Sequence, residues 1–315
     1  MLNYLIKRFL STIPILLGIT LIIFVALQLA PGDAAQIILG PMATAEDIAA
    51  TNAKWGLDQP IAVQYMKWLG NALHGDFGMS FNYKQQVFPL VLQKLVPTLY
   101  LALGALLIAI PFGILFGILS AIYENKWIDK IFSVLSYLGI SFPIFWLGLI
   151  LIIIFGQSLH WFPTSGMYSP GSDSFTDMLK HLVLPSITLA MVPLAVIVRI
   201  TKSSMLEVME QQYMKTALAK GCKRNRRIYV HGLKNAFVPI LTILGVEFGY
   251  VIGGALVVEN VFSWPGLGSL ILTATTNRDY PVVLCGTLVI CFWYVMVNFV
   301  VDLLYGVFDP RIKYE

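Results

Sequence analysis

Charge is what this 315-residue chain has least of: Asp, Glu, Lys and Arg together make up 12%, while hydrophobic residues make up 57% and the mean hydropathy is +0.77. Soluble domains average about 25% charged residues. At this length so few charges cannot cover a water-facing surface, so the apolar excess faces lipid. Cysteine is also scarce. Cys222, Cys285 and Cys291 form no C-x-x-C pair, which argues against a disulfide framework or a zinc site. The four histidines, His74, His160, His181 and His231, are dispersed without H-x-x-x-H spacing, so no metal site built by this chain is expected. There is no G-x-x-x-x-G-K-[ST] stretch, so the chain cannot itself cradle nucleotide phosphates. Gly266-Leu267-Gly268-Ser269 lacks the lysine. A net charge of +4 gives no case for a nucleic-acid partner.

What the chain does have is a series of long apolar runs. They predict spans at 9–30, 97–121, 132–156, 182–201, 237–259 and 282–306. Each approaches or exceeds the ~20 residues a helix needs to cross a bilayer. Helices are the open-chain solution in lipid, because each satisfies its own backbone. The first run follows Lys7 and Arg8 and is longer than a secretory h-region, with Pro31 directly after Ala30, so it is expected to be retained. The intervening segments alternate sides. Segments 1–8, 122–131, 202–236 and 307–315, with Arg199, hold 15 of the 21 Lys and Arg residues. The others hold Lys54, Lys67, Lys84, Lys94, Lys180 and Arg278. Basic residues stay on the cytoplasmic side, so both termini are expected inside and 31–96 outside.

The outer segment carries helix signals. Thr44-Ala45-Glu46-Asp47 has the form of a capped start and Gly56 of a stop. After Pro60, Ile61, Tyr65, Trp68 and Leu69 recur at helical spacing. On the inner side, 202–236 gathers Lys202, Lys215, Lys220, Lys223, Arg224, Arg226, Arg227 and Lys234 against Glu207 and Glu210. A solvated loop touching anionic lipid would account for the charges. It would not account for the order Gln212-Tyr213-Met214-Lys215-Thr216-Ala217-Leu218-Ala219-Lys220-Gly221, which predicts a short helix stopped at Gly221. His231-Gly232-Leu233-Lys234-Asn235-Ala236, with Pro239, follows.

This loop resembles the signature loop of permease subunits of ATP-binding-cassette (ABC) importers, in the form found in the dipeptide, oligopeptide and nickel group: Y-x-x-T-A-x-A-K-G, then H-x-L-x-N-A-x-x-P. The resemblance extends along the chain. It includes Tyr4 to Asp33, Gly56-Leu57-Asp58-Gln59-Pro60, Gly75-Asp76-Phe77-Gly78, the run Glu259 to Gly268, and Asp309-Pro310-Arg311. It is similar to the first permease of such systems. Leu218 stands where many relatives have Arg. The resemblance implies an all-α, six-span type I importer fold. It implies that Tyr213, Thr216, Ala217, Ala219, Lys220 and Gly221 form a coupling helix received by an ATPase subunit, with His231, Leu233, Asn235, Ala236 and Pro239 as the downstream part. It also implies a second homologous permease, two cytoplasmic ABC ATPases that bind ATP and magnesium, and an extracytoplasmic solute-binding protein. The organisation expected is a first span to residue 30, an outer helical segment 31–96, a permease core 97–306 and an inner tail 307–315, in a bacterial inner membrane.

Gly245, Gly249 and Gly253 repeat every four residues, a pattern that lets another helix approach; Gly113 and Gly117 do the same in the second span. Glu247 lies within the fifth span and points away from the glycine face. An ionisable residue at this depth either lines an aqueous path or partner interface, or is a protonated or hydrogen-bonded structural group. Pro111, Pro143, Pro185 and Pro193 are expected to kink helices, and Arg199 to snorkel. Two other classes compete with an ATP-driven importer. A secondary transporter would show internal repeats and broken helices at mid-membrane; no repeat is visible. An intramembrane hydrolase built on Ser165 and His181 would need its serine buried rather than in an outer loop.

Overall fold

A computed structural model describes residues 2–29, 34–40 and 42–308. The chain order is α1 (Leu2–Leu29), α2 (Ala34–Leu39), α3 (Ala45–Trp55), α4 (Ile61–Leu73), α5 (Val87–Ile122), α6 (Trp127–Ser141), α7 (Ile144–Leu151) with a π-helical extension (Ile152–Ser158), and α8 (Phe175–Glu210). Then come α9 (Gln212–Ala219), a π-helical turn (Arg226–Gly232), α10 (Leu233–Val261), α11 (Leu267–Thr276) and α12 (Tyr280–Phe308). No strand occurs among the described residues. Pro31-Gly32-Asp33 and Asp309-Pro310-Arg311 lie outside them.

Five of these helices are long and apolar enough to cross a membrane, and a sixth crossing requires α6 and α7 to act as one span. The run 132–156 is expected as one span with a kink at Pro143, and the structure makes that kink a 108° bend between Ser141 and Ile144. The cause is local. Pro143 disfavours the helical region for the residue before it, and Phe142 accordingly sits at φ −83°, ψ 134°. Pro185 and Pro193, by contrast, lie inside a continuous 36-residue α8.

The chain forms two compact units. One comprises residues up to 98 with 265–295. Here Thr44 and Asp47 form a reciprocal capping box at the start of α3, which ends at Gly56 in the left-handed region, φ 69°. Such a box satisfies two of the orphan N–H groups of the first turn. The Thr44 hydrogen bonds hold the Asp47 carboxyl below its ordinary range. α4 docks through Tyr65, which meets Phe24 edge-on at 5.4 Å and whose hydroxyl lies 3.0 Å from Thr20 Oγ1. Gln28 Nε2 donates to Gln64 Oε1 at 2.8 Å, so α1 is tied to α4 by both apolar and polar contacts. The loop before α5 is pinned at the fully buried Asp279, which accepts from Ser80 Oγ at 2.5 Å and the Asn82 N–H at 3.1 Å.

The other unit comprises 99–264 with 296 onward, and α8 is its axis. Along α5, Gly104, Gly113 and Gly117 lie against Ser186, Ile197 and Thr201 of α8. A Cβ at Gly117 would stand 2.5 Å from Thr201 Cβ and 2.8 Å from the Val198 carbonyl oxygen. Small residues let the two backbones approach, and packing of this kind replaces the hydrophobic drive that lipid does not supply. The core continues through Leu184, Leu189, Val251, Ala255, Phe262 and Trp264.

The loop after the α7 extension is held by α8. His181 Nδ1 lies 3.1 Å from the carbonyl oxygens of Ser165 and Gly166, and Asp177 accepts from the Ser169 N–H and hydroxyl at 2.6 and 2.9 Å. His181 therefore meets the backbone of Ser165, not its hydroxyl. The hydroxyl it does meet is that of Ser169, 3.2 Å from Nε2, which also donates to Asp177, so the three side chains clamp the loop to α8.

Candidate functional site

The basic loop folds into a short helix standing off the end of α8. Gln211 makes the corner. It closes α8 and opens α9 with an extended backbone, φ −64°, ψ 148°, so the chain turns without a long linker. Eight residues later α9 ends in a Schellman turn. The Cys222 N–H donates to Ala217 O at 3.0 Å, and the Gly221 N–H to Leu218 O at 2.9 Å. This pairing needs a left-handed residue, and Gly221 supplies it at φ 74°.

The residues expected in the coupling helix are therefore brought together. Tyr213, Thr216, Ala219, Lys220 and Gly221 are exposed and Ala217 is half-buried. Their surface combines small side chains, a phenol and the exposed Leu218. Partial burial raises the Tyr213 phenol above its ordinary value, so it stays protonated near neutrality. Thr216 Oγ1 donates back to Gln212 O at 3.1 Å.

The downstream residues divide. Ala236 is fully buried and Leu233 packs beside it in a cluster with Ile118, Ala121, Met205, Ile228 and Ile240. Asn235 and Pro239 stay exposed and His231 half-exposed. Asn235 Nδ2 donates to His231 O at 2.7 Å, bridging the π-helical turn to α10. Ala236 and Leu233 thus hold the site in place rather than form its surface.

Sequence reasoning missed the anchor. Met214 is buried at 3% exposure. Its methyl carbon and that of Met205 come within 3.8 and 3.3 Å of the position a Cβ would take on Gly232. Hydrophobicity alone could not single it out, because Leu218, one turn on, is equally apolar and yet exposed. Also missed was a buried charge centre near the start of α6. Asp129 accepts from Lys202 Nζ at 2.5 Å, Ser133 Oγ at 3.2 Å, the Asn125 N–H at 3.0 Å and Ser120 Oγ. This ties α5, α6 and α8 together one helical stretch before α9. Lys202 looked like one more solvated loop cation.

Within α10, the glycine repeat is not one packing face inside this chain. Gly245 lies against Val301 and Asn298 of α12, Gly249 is half-buried, and Gly253 has nothing within 4 Å of a Cβ position. Gly254, one residue on, is the position that approaches Leu189. Glu247 is buried, and its Oε2 has no hydrogen-bond partner. No group of three or more potential metal-ligating side chains occurs among the described residues.

Comparison with known proteins places this arrangement. Residues 113–314 match the family described as binding-protein-dependent transport system inner membrane component, and residues 1–102 match its N-terminal companion. The chain is 40% identical over its full length, and over the full length of the relative, to the glutathione transport system permease protein GsiC of Salmonella paratyphi A. It is 39% identical, with the same coverage, to GsiC of Escherichia coli K12. Among solved structures, the methionine ABC transporter MetNI in inward-facing conformations superposes with a TM-score of 0.51 at 14% identity, over 70% of this chain and 94% of that one. That likeness is one of fold. Together with the apolar helices, these matches make the protein a multi-pass component of a bacterial inner membrane that works with ATPase and binding-protein partners. It is not a secondary transporter or an enzyme. The chain belongs to the binding-protein-dependent transport system inner membrane components, as a permease of an ABC importer.

Proposed function

We propose that this permease forms half of an inward translocation path for short peptides, glutathione-like tripeptides included, and that α9 is where ATPase motion enters it. A second permease of similar fold would complete the path. Two cytoplasmic ATPases would bind ATP and magnesium, and a solute-binding protein would deliver ligand from outside. Both termini would lie in the cytoplasm, with 31–96 on the outer face. The peptide class is supported by full-length identity to permeases named for glutathione transport; the orientation is supported by the basic-residue asymmetry.

The observation that carries the reading is the form of α9. It is a short exposed helix with small residues at 217 and 219, fixed at one side by Met214 and ended by a left-handed glycine. A surface of this kind accepts close approach, while the Met214 anchor passes force to α8 and α10 rather than letting the loop flex. Ala217→Trp would block that approach. The expected outcome is normal membrane insertion, loss of ATPase co-purification and at least roughly tenfold slower uptake, about 1.4 kcal/mol or more of lost docking. Undiminished co-purification and uptake would end the proposal. Accessibility of a cysteine at 217 to a membrane-impermeant thiol reagent added from outside would overturn the orientation.

Glu247 belongs to the same proposal as a path-lining group, on the ground that it is a buried carboxylate with an unpartnered oxygen. Glu247→Gln should slow transport while the complex still assembles; unchanged transport would assign it a structural role.

A further inference from the structure

One cavity of the first unit is not explained by helix packing. It has a volume of about 440 Å³ and lies among α3, α4, the 76–81 turn and the start of α12. That volume falls in the range of small-molecule sites, which join apolar walls to a few placed polar groups. The walls here are aromatic and held. Trp55 stacks on Phe81 at 4.2 Å with a 4° interplanar angle, and Phe77 stacks on Phe88 at 5.3 Å. Trp68 lines the cavity from α4, and its indole N–H is buried with no hydrogen-bond partner.

The charges on the lining are unequal. Two ammonium groups, Lys54 and Lys67, face one carboxylate, Asp76. Lys67 is positioned by its 2.8 Å hydrogen bond to Gln59 Oε1, and Asp76 by accepting the Gly78 N–H at 2.9 Å. Neither cation has a carboxylate within ion-pair distance among the described residues. A ligand that matches this set has two carboxylates for the two lysines, one ammonium for Asp76, and an apolar or amide middle for the aromatic walls.

We propose that this cavity is an accessory binding site for short peptides bearing one more carboxylate than amine. The site would hold such a peptide on the outer segment before it enters the path. Its place in transport rests on the peptide-import reading and the orientation given above, but binding itself can be measured without transport.

The test uses the whole importer complex in lipid nanodiscs, without nucleotide or solute-binding protein. Radiolabelled alanylglutamate, dialanine and alanyllysine are compared by equilibrium dialysis, with tryptophan fluorescence as a second readout. Alanylglutamate should bind saturably and about tenfold more tightly than the other two. Lys54→Met should remove that preference at unchanged melting temperature, Lys54→Arg should restore it, and Trp68→Phe should weaken all binding several-fold. Absence of saturable binding would overturn the site, as would binding indifferent to both Lys54→Met and Trp68→Phe. Reconstituted, ATP-driven uptake is scored separately. Failure of all peptide uptake with this binding intact would remove the transport reading and leave the site. Peptide uptake without this binding would remove the site alone.

Discussion

α1 and α8 are both long apolar helices, yet 17% of the apolar stretch of α1 is buried within the chain against 61% of that of α8. Ile22, Leu10 and Ile15 of α1 are more than half exposed, and a Cβ added at Gly18 meets nothing within 4 Å. On α8, nearly every turn meets a neighbour, and the glycines of α5 come so close that a methyl group would collide. Hydropathy reports what solvent a helix tolerates. It does not report whether protein or lipid surrounds it, because lipid tails are as apolar as a core. The Phe24–Tyr65 contact and the polar ties Thr20–Tyr65 and Gln28–Gln64 seat α1 on α4, whereas close backbone packing along its length, with the Lys202–Asp129 pair near one end, seats α8.

The sharpest way to break this contrast is a pair of identical substitutions. Gly117→Leu should abolish a monodisperse, folded chain in detergent, a cost of about 3 kcal/mol or more from overpacking against Thr201 and Val198. Gly18→Leu should stay within about 0.5 kcal/mol. Similar melting temperatures for the two would show that α8 packs no more tightly than α1. Next in size, Met214→Ala should cost about 2 kcal/mol, the low end for a buried methionine on a peripheral helix. It should appear as faster hydrogen exchange confined to 212–219; unchanged exchange there would mean that Met214 is no anchor.

Asp129→Asn should lower stability by about 1–2 kcal/mol. The value is reduced from that of a fully buried pair because Lys202 is a quarter exposed. Replacing both partners by leucine should recover most of the loss, and a double variant no better than the single one would contradict the pairing. The smallest effect concerns α3. The Asp47 pKa is lowered in the fold, so its contribution is present above the unfolded value and is lost as pH falls through the folded one. Exchange at the first turn of α3 should rise on acidification across that window in the native chain but not in Asp47→Asn.

Much of the loop carrying the site was legible because its signals are local. The stop at Gly221 depends on one residue's freedom at positive φ, and the capping box at Thr44 on two side chains three residues apart. The family motif is likewise a continuous string. The fold was legible less evenly. The bend at Phe142-Pro143 was signalled by the proline, but a hydropathy window sums over direction and cannot see 108°. Gly113 with Gly117 and Gly249 with Gly253 have the same spacing, yet the first pair meets α8 while Gly253 meets open space within this chain.

By itself the sequence determined the membrane class, the positions of most spans, the sidedness expected from its basic residues, the ends of α3 and α9, and the family. Each follows from composition or from neighbours a few residues apart. Only the tertiary structure decided that Asp129 would meet Lys202 across 73 residues, that Met214 would close over Gly232, and that Trp55, Trp68 and two lysines would enclose one cavity. Those pairings are set by how helices approach in space, and no local pattern encodes which surfaces come into contact.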